Sequence, residues 1–335
     1  MAAPKKCVLI TSKSASLHND ILGGYIDDYV GLIEKQYDIL WWDDFLKNPE
    51  LGLKVEGALI GPGVRQMRLP ENLDKFPNLK VAANFGVGTD HVNVKLYNSR
   101  GIKISNTPNV LNNAVADHAM GLMLAAARNT VEGHKMATDP NCTKWPNDTN
   151  LGVDVSESTL GIVGMGKIGM KVAQRAKAFD MKILYHNRTK RSDEEEKSLS
   201  ALFCPKLHNL LAESDFVVIT CPHTPDTDGL FGDAEFDAMK KTAILVNVAR
   251  GKIVNQDALV CALTSGKIYK AALDVTYPEP LPRDHKLLTL PNVIFTPHVA
   301  SATLRTRLKM ISCMLENITA GIAGLPLPNE VHAKE

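Results

Sequence analysis

Two doubly wound parallel-sheet α/β domains are the fold class this sequence predicts, and three observations predict it. Short apolar runs alternate with segments of helical spacing along the whole chain, the pattern of parallel strands covered on both faces. A length of 335 residues exceeds one ordinary core, so two domains are expected. The pattern Gly164-Met-Gly-Lys-Ile-Gly169 stands between an apolar run and an unbroken helical one, where such a fold binds a dinucleotide.

In the first half, residues 7–10, 37–41, 57–60, 79–84 and 102–104 read as strands, with helical spacing between them, as over 21–34. The stretch 109–128, rich in Ala, Leu and Met, reads as a long helix. It opens on Asn106-Thr-Pro-Asn109, and the Pro, Asn, Asp and Gly of 139–155 make a loop after it. The second half carries stronger runs at 160–163, 182–185, 216–220, 243–248, 271–275 and 292–296, six strands that suit a dinucleotide fold. Residues 170–180 contain no breaker and form the helix after the glycine turn. The helical tail 301–323 is too long to belong to the last strand and is expected to return to the first domain. The domains are then discontinuous, 1–108 with 301–335 forming one and 109–300 the other.

Composition narrows the function. Lys and Arg (38) nearly balance Asp and Glu (37), which leaves no electrostatic case for nucleic acid or an anionic membrane. The content of 44% hydrophobic and 22% charged residues is that of a soluble globular chain. Six cysteines lie far apart with no C-x-x-C pair, against a disulfide framework or a metal site and for a reducing compartment. The N-terminal apolar run is too short for a signal peptide, and none approaches the ~20 residues of a membrane span. A cytoplasmic protein is expected, in which the Asn-x-Ser/Thr triplets at Asn141, Asn147 and Asn317 stay unmodified.

Each glycine of the turn has a physical task. One permits the tight turn, one lets the backbone approach a pyrophosphate, and one lets helix and strand pack closely. The amides of the helix start, around Met165, Lys167 and Ile168, would face the phosphate with the helix dipole behind them. Glycine turns also arise by chance, but strand and helix on either side favour a Rossmann domain. No Gly-Lys-Ser/Thr follows, so a nucleoside triphosphate is not expected.

Three constellations fall at the carboxyl ends of later strands, where open α/β sheets bind ligands. Arg250 follows the run Ala-Ile-Leu-Val-Asn-Val-Ala, and its fork suits a carboxylate substrate. Alone, it reads equally well as a capping or surface arginine. Asp274 ends another apolar run, and Glu279 lies between two prolines that fix the local backbone. A lone Glu in a loop is usually solvated, and a lone His such as His298, after the final strand, is more often structural. The combination changes this, because a cation, a carboxylate and a histidine converge on one cleft with the glycine turn. A His–Glu pair beside a nicotinamide is apparatus for moving a proton while a hydride moves. A metal site lacks ligands, and a serine nucleophile lacks its G-x-S-x-G elbow.

The strand at 182–185 runs into Asn187, Arg188, Thr189, Lys190 and Arg191, where a dinucleotide fold usually keeps an acidic residue for the ribose diol. Asn187 removes the repulsion of a 2′-phosphate, and the following cations and hydroxyl can donate to it. The alternative is a solvated turn neutralised by Ser192-Asp-Glu-Glu-Glu-Lys197. NADPH (NADP) is expected ahead of NADH, which stays possible.

The chain resembles the D-isomer-specific 2-hydroxyacid dehydrogenase family over nearly its whole length. The motifs that carry the resemblance are Asn84-Phe-Gly-Val-Gly-Thr-Asp-His91, Asn106-Thr-Pro-Asn109, Ala116-Asp-His118 and the glycine turn. They continue through Asn247-Val-Ala-Arg-Gly251, Ala272-Leu-Asp-Val275 with Pro278-Glu-Pro280, and Pro297-His298 with Ser301-Ala-Thr303. Within the family, Ser301-Ala-Thr-Leu-Arg-Thr-Arg307 and Gly324-Leu-Pro-Leu-Pro-Asn-Glu330 resemble the glyoxylate/hydroxypyruvate reductase branch. The resemblance implies a flavodoxin-like substrate domain interrupted by the Rossmann domain. It implies that Arg250 binds the substrate carboxylate, assisted by the backbone of Val87 and Gly88, and that His298 protonates the ketone oxygen with Glu279 as its partner. It gives Asp274 to the nicotinamide carboxamide. It puts Val87, Cys221, Val248, Ala249 and Ala300 along the cofactor, together with Arg250 and His298. It also implies a homodimer formed through an arm that includes 109–128 and the loop after it. Two residues depart from the family pattern: Ala300 stands where glycine is more usual, and Asn187 where NAD-using members have aspartate.

The implied reaction is reduction of a small 2-oxo acid, glyoxylate or hydroxypyruvate, to the D-2-hydroxy acid. A 2-ketogluconate-type sugar-acid reductase is the near alternative, and a dinucleotide-sensing corepressor the alternative from another class. Phosphoglycerate dehydrogenase would need an added domain, and formate dehydrogenase carries an amide where Glu279 stands. Trp145, in the arm loop, reads either as an anchor of that loop or as a determinant of substrate choice.

Overall fold

The computed structural model of the protein describes residues 4–11, 25–60, 73–145 and 151–333. The helical expectation at 21–24 and the triplet at Asn147 lie outside them. The chain divides into two compact units, Met1–Leu111 with Ala302–Glu335, and Asn112–Ser301.

The first unit begins with β1 (Cys7–Ile10), α1 (Tyr25–Glu34), β2 (Asp38–Trp41), α2 (Trp42–Lys47) and β3 (Val55–Ile60), and continues with β4 (Val81–Asn84), α3 (Val94–Ser99) and β5 (Lys103–Ser105). The chain then builds the whole second unit. Its first part is α4 (Asn112–Ala127), α5 (Thr130–Thr138), β6 (Thr159–Val163), α6 (Lys167–Lys177), β7 (Lys182–His186), α7 (Asp193–Leu199) and β8 (Ala201–Phe203). Next come α8 (Leu207–Glu213), β9 (Phe216–Ile219), α9 (Asp233–Ala238), β10 (Ile244–Asn247), α10 (Gln256–Thr264), β11 (Lys270–Leu273) and β12 (Val293–Phe295). The first unit is completed by α11 (Leu304–Ile322) and β13 (Glu330–Val331).

In the first unit the strand order is β13-β5-β4-β3-β1-β2. All neighbours are parallel except β13, which runs antiparallel to β5. Read from β2, this is the 2-1-3-4-5 order of a flavodoxin-like sheet with one strand added. The helix α11 lies on β3 and β4 because small residues admit it. A Cβ on Gly57 would stand 3.1 Å from Ile318, and one on Gly321 would overlap Val81. Asn317 on α11 is fully buried, and its amide donates to the Cys313 carbonyl at 2.7 Å, so the Asn317 triplet is closed to modification.

The second unit has seven parallel strands in the order β12-β11-β10-β9-β6-β7-β8. Phe216-Val-Val-Ile219 and Ile244-Leu-Val-Asn247 are buried at every position, as strands covered on both faces must be. The order reverses between β6 and β9, the switch point at which a doubly wound sheet opens a crevice.

Three local expectations need correction. The sheet has seven strands rather than six: β8 is a three-residue edge strand with exposed Leu202, too short and too solvated to show as an apolar run. The helix after the glycine turn starts at Lys167 rather than 170, so Gly169 sits inside its first turn. The helix expected at 109–128 covers Asn112–Ala127, and a second helix, Thr130–Thr138, follows in a stretch to which no element was assigned, ahead of the loop at 139–155. Asn129 separates the two at φ +50°, its amide donating to the Leu151 carbonyl at 2.9 Å. Among the described residues no helix is long and apolar enough to cross a membrane.

Candidate active site

The glycine turn joins β6 to α6 at the switch point. Gly164 takes φ +104°, and a Cβ there would overlap the backbone of Cys221, which follows β9. The two loops that leave β6 and β9 thus touch through a residue without a side chain. Thr220 Oγ1 donates to the Gly164 carbonyl at 2.6 Å and fastens them. Gly169 faces the Gly164 carbonyl, Thr220 and Ile162, so any side chain would push α6 off the strand. Gly166 is different: it caps α6, and a Cβ on it would meet nothing within 4 Å. Gly164 thus makes the tight turn and Gly169 the close packing of helix on strand, two of the tasks expected from sequence. The open space at Gly166, in front of the α6 amides of Lys167 and Ile168, fits a pyrophosphate. Met165 is buried, and burial pushes the Cys221 thiol up to about 11.

The basic loop follows β7, and its residues differ in what they are free to do. Asn187 Oδ1 accepts from the Met165 amide at 2.8 Å, which ties the loop to the glycine turn. Arg191 Nε donates to the Met165 carbonyl at 2.6 Å, and its amide donates to Tyr185 Oη at 2.8 Å. Lys190 pairs with Asp193 at 2.8 Å and Glu196 at 3.2 Å, and these two carboxylates push it up to about 12. Arg188 and Thr189 are exposed. The acidic run 192–197 forms the N-terminal turn of α7 and neutralises Lys190, one of the loop's cations.

The other strand ends supply the polar groups. After β10, buried Asn247 clips its own turn: its Oδ1 accepts from the Ala249 amide at 3.0 Å and its Nδ2 donates to the Arg250 carbonyl at 2.9 Å. Val248 is buried and Arg250 half-buried, its guanidinium donating to the Ala249 carbonyl at 2.9 Å. Gly251 packs against the Thr276 carbonyl, with no room for a Cβ, which brings the 250 turn against the 276–280 loop. In that loop both prolines, Pro278 and Pro280, follow cis bonds. Gln256 holds it from α10, accepting from the Tyr277 amide at 2.8 Å and donating to the Tyr277 carbonyl.

Glu279 and His298 meet. Glu279 Oε1 accepts from the Thr276 amide at 3.1 Å, and Oε2 lies 2.8 Å from His298 Nδ1. His298 keeps 47% of its side-chain surface and Glu279 35%, so the pair opens to solvent and leaves Nε2 to face outward from the carboxylate. Asp274 is the reverse, with a fully buried side chain. Its Oδ1 accepts from Thr296 Oγ1 at 2.6 Å and from the Val299 amide at 2.8 Å, and its Oδ2 from the Ala300 amide at 2.9 Å. Burial alone would raise this carboxyl, but the donors His118, Thr296, Val299 and Ala300 outweigh it and hold it below its ordinary value. The structure therefore shows Asp274 as a brace for the chain around His298.

Arg250, Glu279, Asp274, His298, Ala300, Cys221 and the glycine turn all belong to the second unit. Val87 and Gly88 belong to the first, on the turn after β4, where the Val87 carbonyl accepts from Asn106 at 2.8 Å and the Gly88 carbonyl from Asn84 at 3.0 Å. Trp145 is 70% exposed. Sequence reasoning gave no task to Asn247, Thr296, Thr220 or His118. The first three had a signal, each being a polar residue at the end of an apolar run, and His118 had none.

A family model described as D-isomer specific 2-hydroxyacid dehydrogenase, NAD binding domain, matches residues 120–300. The chain belongs to the D-isomer specific 2-hydroxyacid dehydrogenase family. It is thus an oxidoreductase with a nicotinamide-dinucleotide domain, in the glyoxylate/hydroxypyruvate reductase branch. A glyoxylate reductase of Korarchaeum cryptofilum is 44% identical over 263 residues, which are 78% of this chain and 79% of that one. A glyoxylate reductase/hydroxypyruvate reductase of Mus musculus is 40% identical over 284 residues, 83% of this chain and 86% of that one. Among solved structures, an NADPH-dependent glyoxylate/hydroxypyruvate reductase of Sinorhizobium meliloti in complex with NADP and malonate superposes with a TM-score of 0.81. It is 29% identical and covers 98% of this chain and 97% of its own.

Proposed function

We propose that this family member is an NADPH-dependent reductase of small 2-oxo acids, glyoxylate or hydroxypyruvate, that yields the D-2-hydroxy acid with His298 as proton donor. The observation that carries the reading is the 2.8 Å contact between His298 Nδ1 and Glu279 Oε2. A carboxylate on Nδ1 holds the ring by that nitrogen and orients Nε2 as the atom through which a proton is passed to the substrate oxygen. When bound along the crevice between β6 and β9, the reduced nicotinamide supplies the hydride. The open helix start at Gly166 takes the pyrophosphate, and Arg188 with Thr189 takes the 2′-phosphate. Arg250 holds the substrate carboxylate by its fork, setting the carbonyl for both transfers.

The relatives support this reading by their names, glyoxylate reductase and glyoxylate/hydroxypyruvate reductase, and the Sinorhizobium enzyme by its NADPH dependence. The unit Asn112–Ser301 is then the cofactor domain, Met1–Leu111 with Ala302–Glu335 the substrate domain, and the α4–α5 arm the means of pairing into a homodimer. A steady-state panel of glyoxylate, hydroxypyruvate and 2-ketogluconate, each with NADPH and NADH, tests the proposal. Turnover is expected with the first two acids and NADPH. An absence of cofactor oxidation with every acid would overturn it.

A further inference from the structure

The helix α4 carries a side chain that the reaction above does not use. His118, with 25% of its side chain exposed, places Nε2 at 2.9 Å from Thr296 Oγ1 and 3.3 Å from Asp274 Oδ1. Thr296 Oγ1 lies 2.6 Å from the same Asp274 oxygen. Proton counting fixes the direction of these contacts. An ionised carboxylate only accepts, and a hydroxyl has a single proton. Thr296 therefore donates its proton to Asp274 and has only acceptor capacity left for the ring. His118 Nε2 must be the donor, so it carries a hydrogen.

What this donor supports is the chain at His298. Three successive amides end on Asp274: His298 on its carbonyl at 2.8 Å, Val299 on Oδ1 at 2.8 Å and Ala300 on Oδ2 at 2.9 Å. Between them they hold His298 at φ +54°, a conformation that non-glycine residues adopt rarely and that persists only where surroundings impose it. The direction of the imidazole follows from that backbone, and Glu279 then catches Nδ1.

We infer that His118 is a positioning residue for proton transfer, acting as an Nε2–H donor that fixes the Thr296–Asp274 brace and, through it, the aim of His298. The inference rests on His298 being the proton donor. Removing the Nε2–H leaves a half-buried hydroxyl and a buried carboxylate with one donor fewer, and the segment 296–300 is then held less tightly. A small misplacement of a reacting group lowers turnover without weakening ligand binding.

The experiment compares His118→Leu and His118→Gln in the full chain. The leucine variant should lose turnover by on the order of tenfold to a hundredfold, while the dissociation constant for NADPH and the KM for the acid stay near wild type. Glutamine, whose Nε2 donates at a similar reach, should restore most of the loss. A leucine variant with wild-type kcat, or a glutamine variant no better than leucine, would overturn the inference. A second measurement works on the unmodified protein, whether or not the variants fold. The ¹⁵N–¹H imidazole spectrum at neutral pH should show His118 protonated at Nε2, and a ring protonated at Nδ1 alone would also overturn it. Failure of the catalytic reading looks different: His298→Ala would keep its turnover, and the His118 tautomer would be unaltered.

Discussion

Glu279 Oε2 stands 2.8 Å from His298 Nδ1, and the same carboxylate holds the Thr276 amide through its other oxygen at 3.1 Å. One side chain thus fixes its own loop and the imidazole across from it. Glu279→Gln keeps the size and one acceptor oxygen but removes the negative charge beside Nδ1 of His298. Turnover should fall by about 10- to 100-fold, with little change in the KM for the acid, since general acid catalysis is worth about 10²–10⁴ in all. His298→Ala should fall further. Stopped-flow hydride transfer under single-turnover conditions reads both, and an unimpaired burst in the glutamine variant would remove Glu279 from the reaction.

Asp274 predicts a stability effect with a definite pH dependence. Its carboxyl lies below the ordinary 3.8 when folded, burial being outweighed by hydrogen bonds from His118, Thr296, Val299 and Ala300. A depressed folded-state value means that the carboxylate stabilises the fold above about the ordinary value, and that this contribution is lost as pH falls through the folded-state value. Asp274→Asn would turn an NH₂ group toward amide donors and should cost about 1–3 kcal/mol at pH 7. Urea unfolding at pH 7 and at pH 3 tests this, because the gap between wild type and variant should narrow in acid. A gap that widens in acid would contradict the assignment.

These two residues show where the sequence is legible and where it is not. The meeting of Glu279 with His298 could be anticipated because both lie past the ends of apolar runs in a fold whose strand ends share one edge. The glycine turn was readable for the same reason, and the structure gives Gly164 the tight turn and Gly169 the close packing, with open space at Gly166. The brace was not readable: His118 lies 178 residues from Thr296, and no periodicity or spacing connects a helix residue to a strand end across such a gap. Strand β8 and helix α5 were missed on local grounds, one being three residues long at a solvated edge and the other having no buried residue to create a stripe. The basic loop lies between these cases. Its cations are visible in the sequence, but not the fact that Lys190 is already bound by Asp193 and Glu196.

The glycines separate folding from binding. A Cβ on Gly166 meets nothing, and its φ of −81° suits any residue, so Gly166→Ala should melt within a few degrees of wild type. Its methyl would occupy the space in front of the helix amides and should weaken NADPH binding. Gly164→Ala faces φ +104° and the Cys221 backbone, and should lose at least the ~1–2 kcal/mol of an unfavourable left-handed residue. Differential scanning calorimetry with and without NADPH distinguishes them. Gly166→Ala should lose the cofactor-induced rise in Tm while keeping its own Tm, and an intact rise would argue against a pyrophosphate at that place.

The basic loop makes the most selective prediction, because its three cations are engaged differently. Lys190 is held by two carboxylates, and Arg191 by the Met165 carbonyl at 2.6 Å, whereas Arg188 is exposed beside Asn187. A 2′-phosphate should therefore be held chiefly by Arg188. Arg188→Ala should raise the KM for NADPH by on the order of tenfold or more, as expected for loss of a charge-assisted contact, and leave that for NADH nearly unchanged. Lys190→Ala should have the smaller effect on NADPH. Asn187→Asp is the complementary change. An aspartate can still accept from the Met165 amide, as Asn187 Oδ1 does at 2.8 Å, so the turn survives while a negative charge is set against the phosphate. The ratio of kcat/KM for NADPH over NADH should invert in that variant. If instead Lys190→Ala proves the more damaging substitution, the acidic start of α7 does not neutralise the loop when cofactor is bound, and the phosphate is held one step further along the chain.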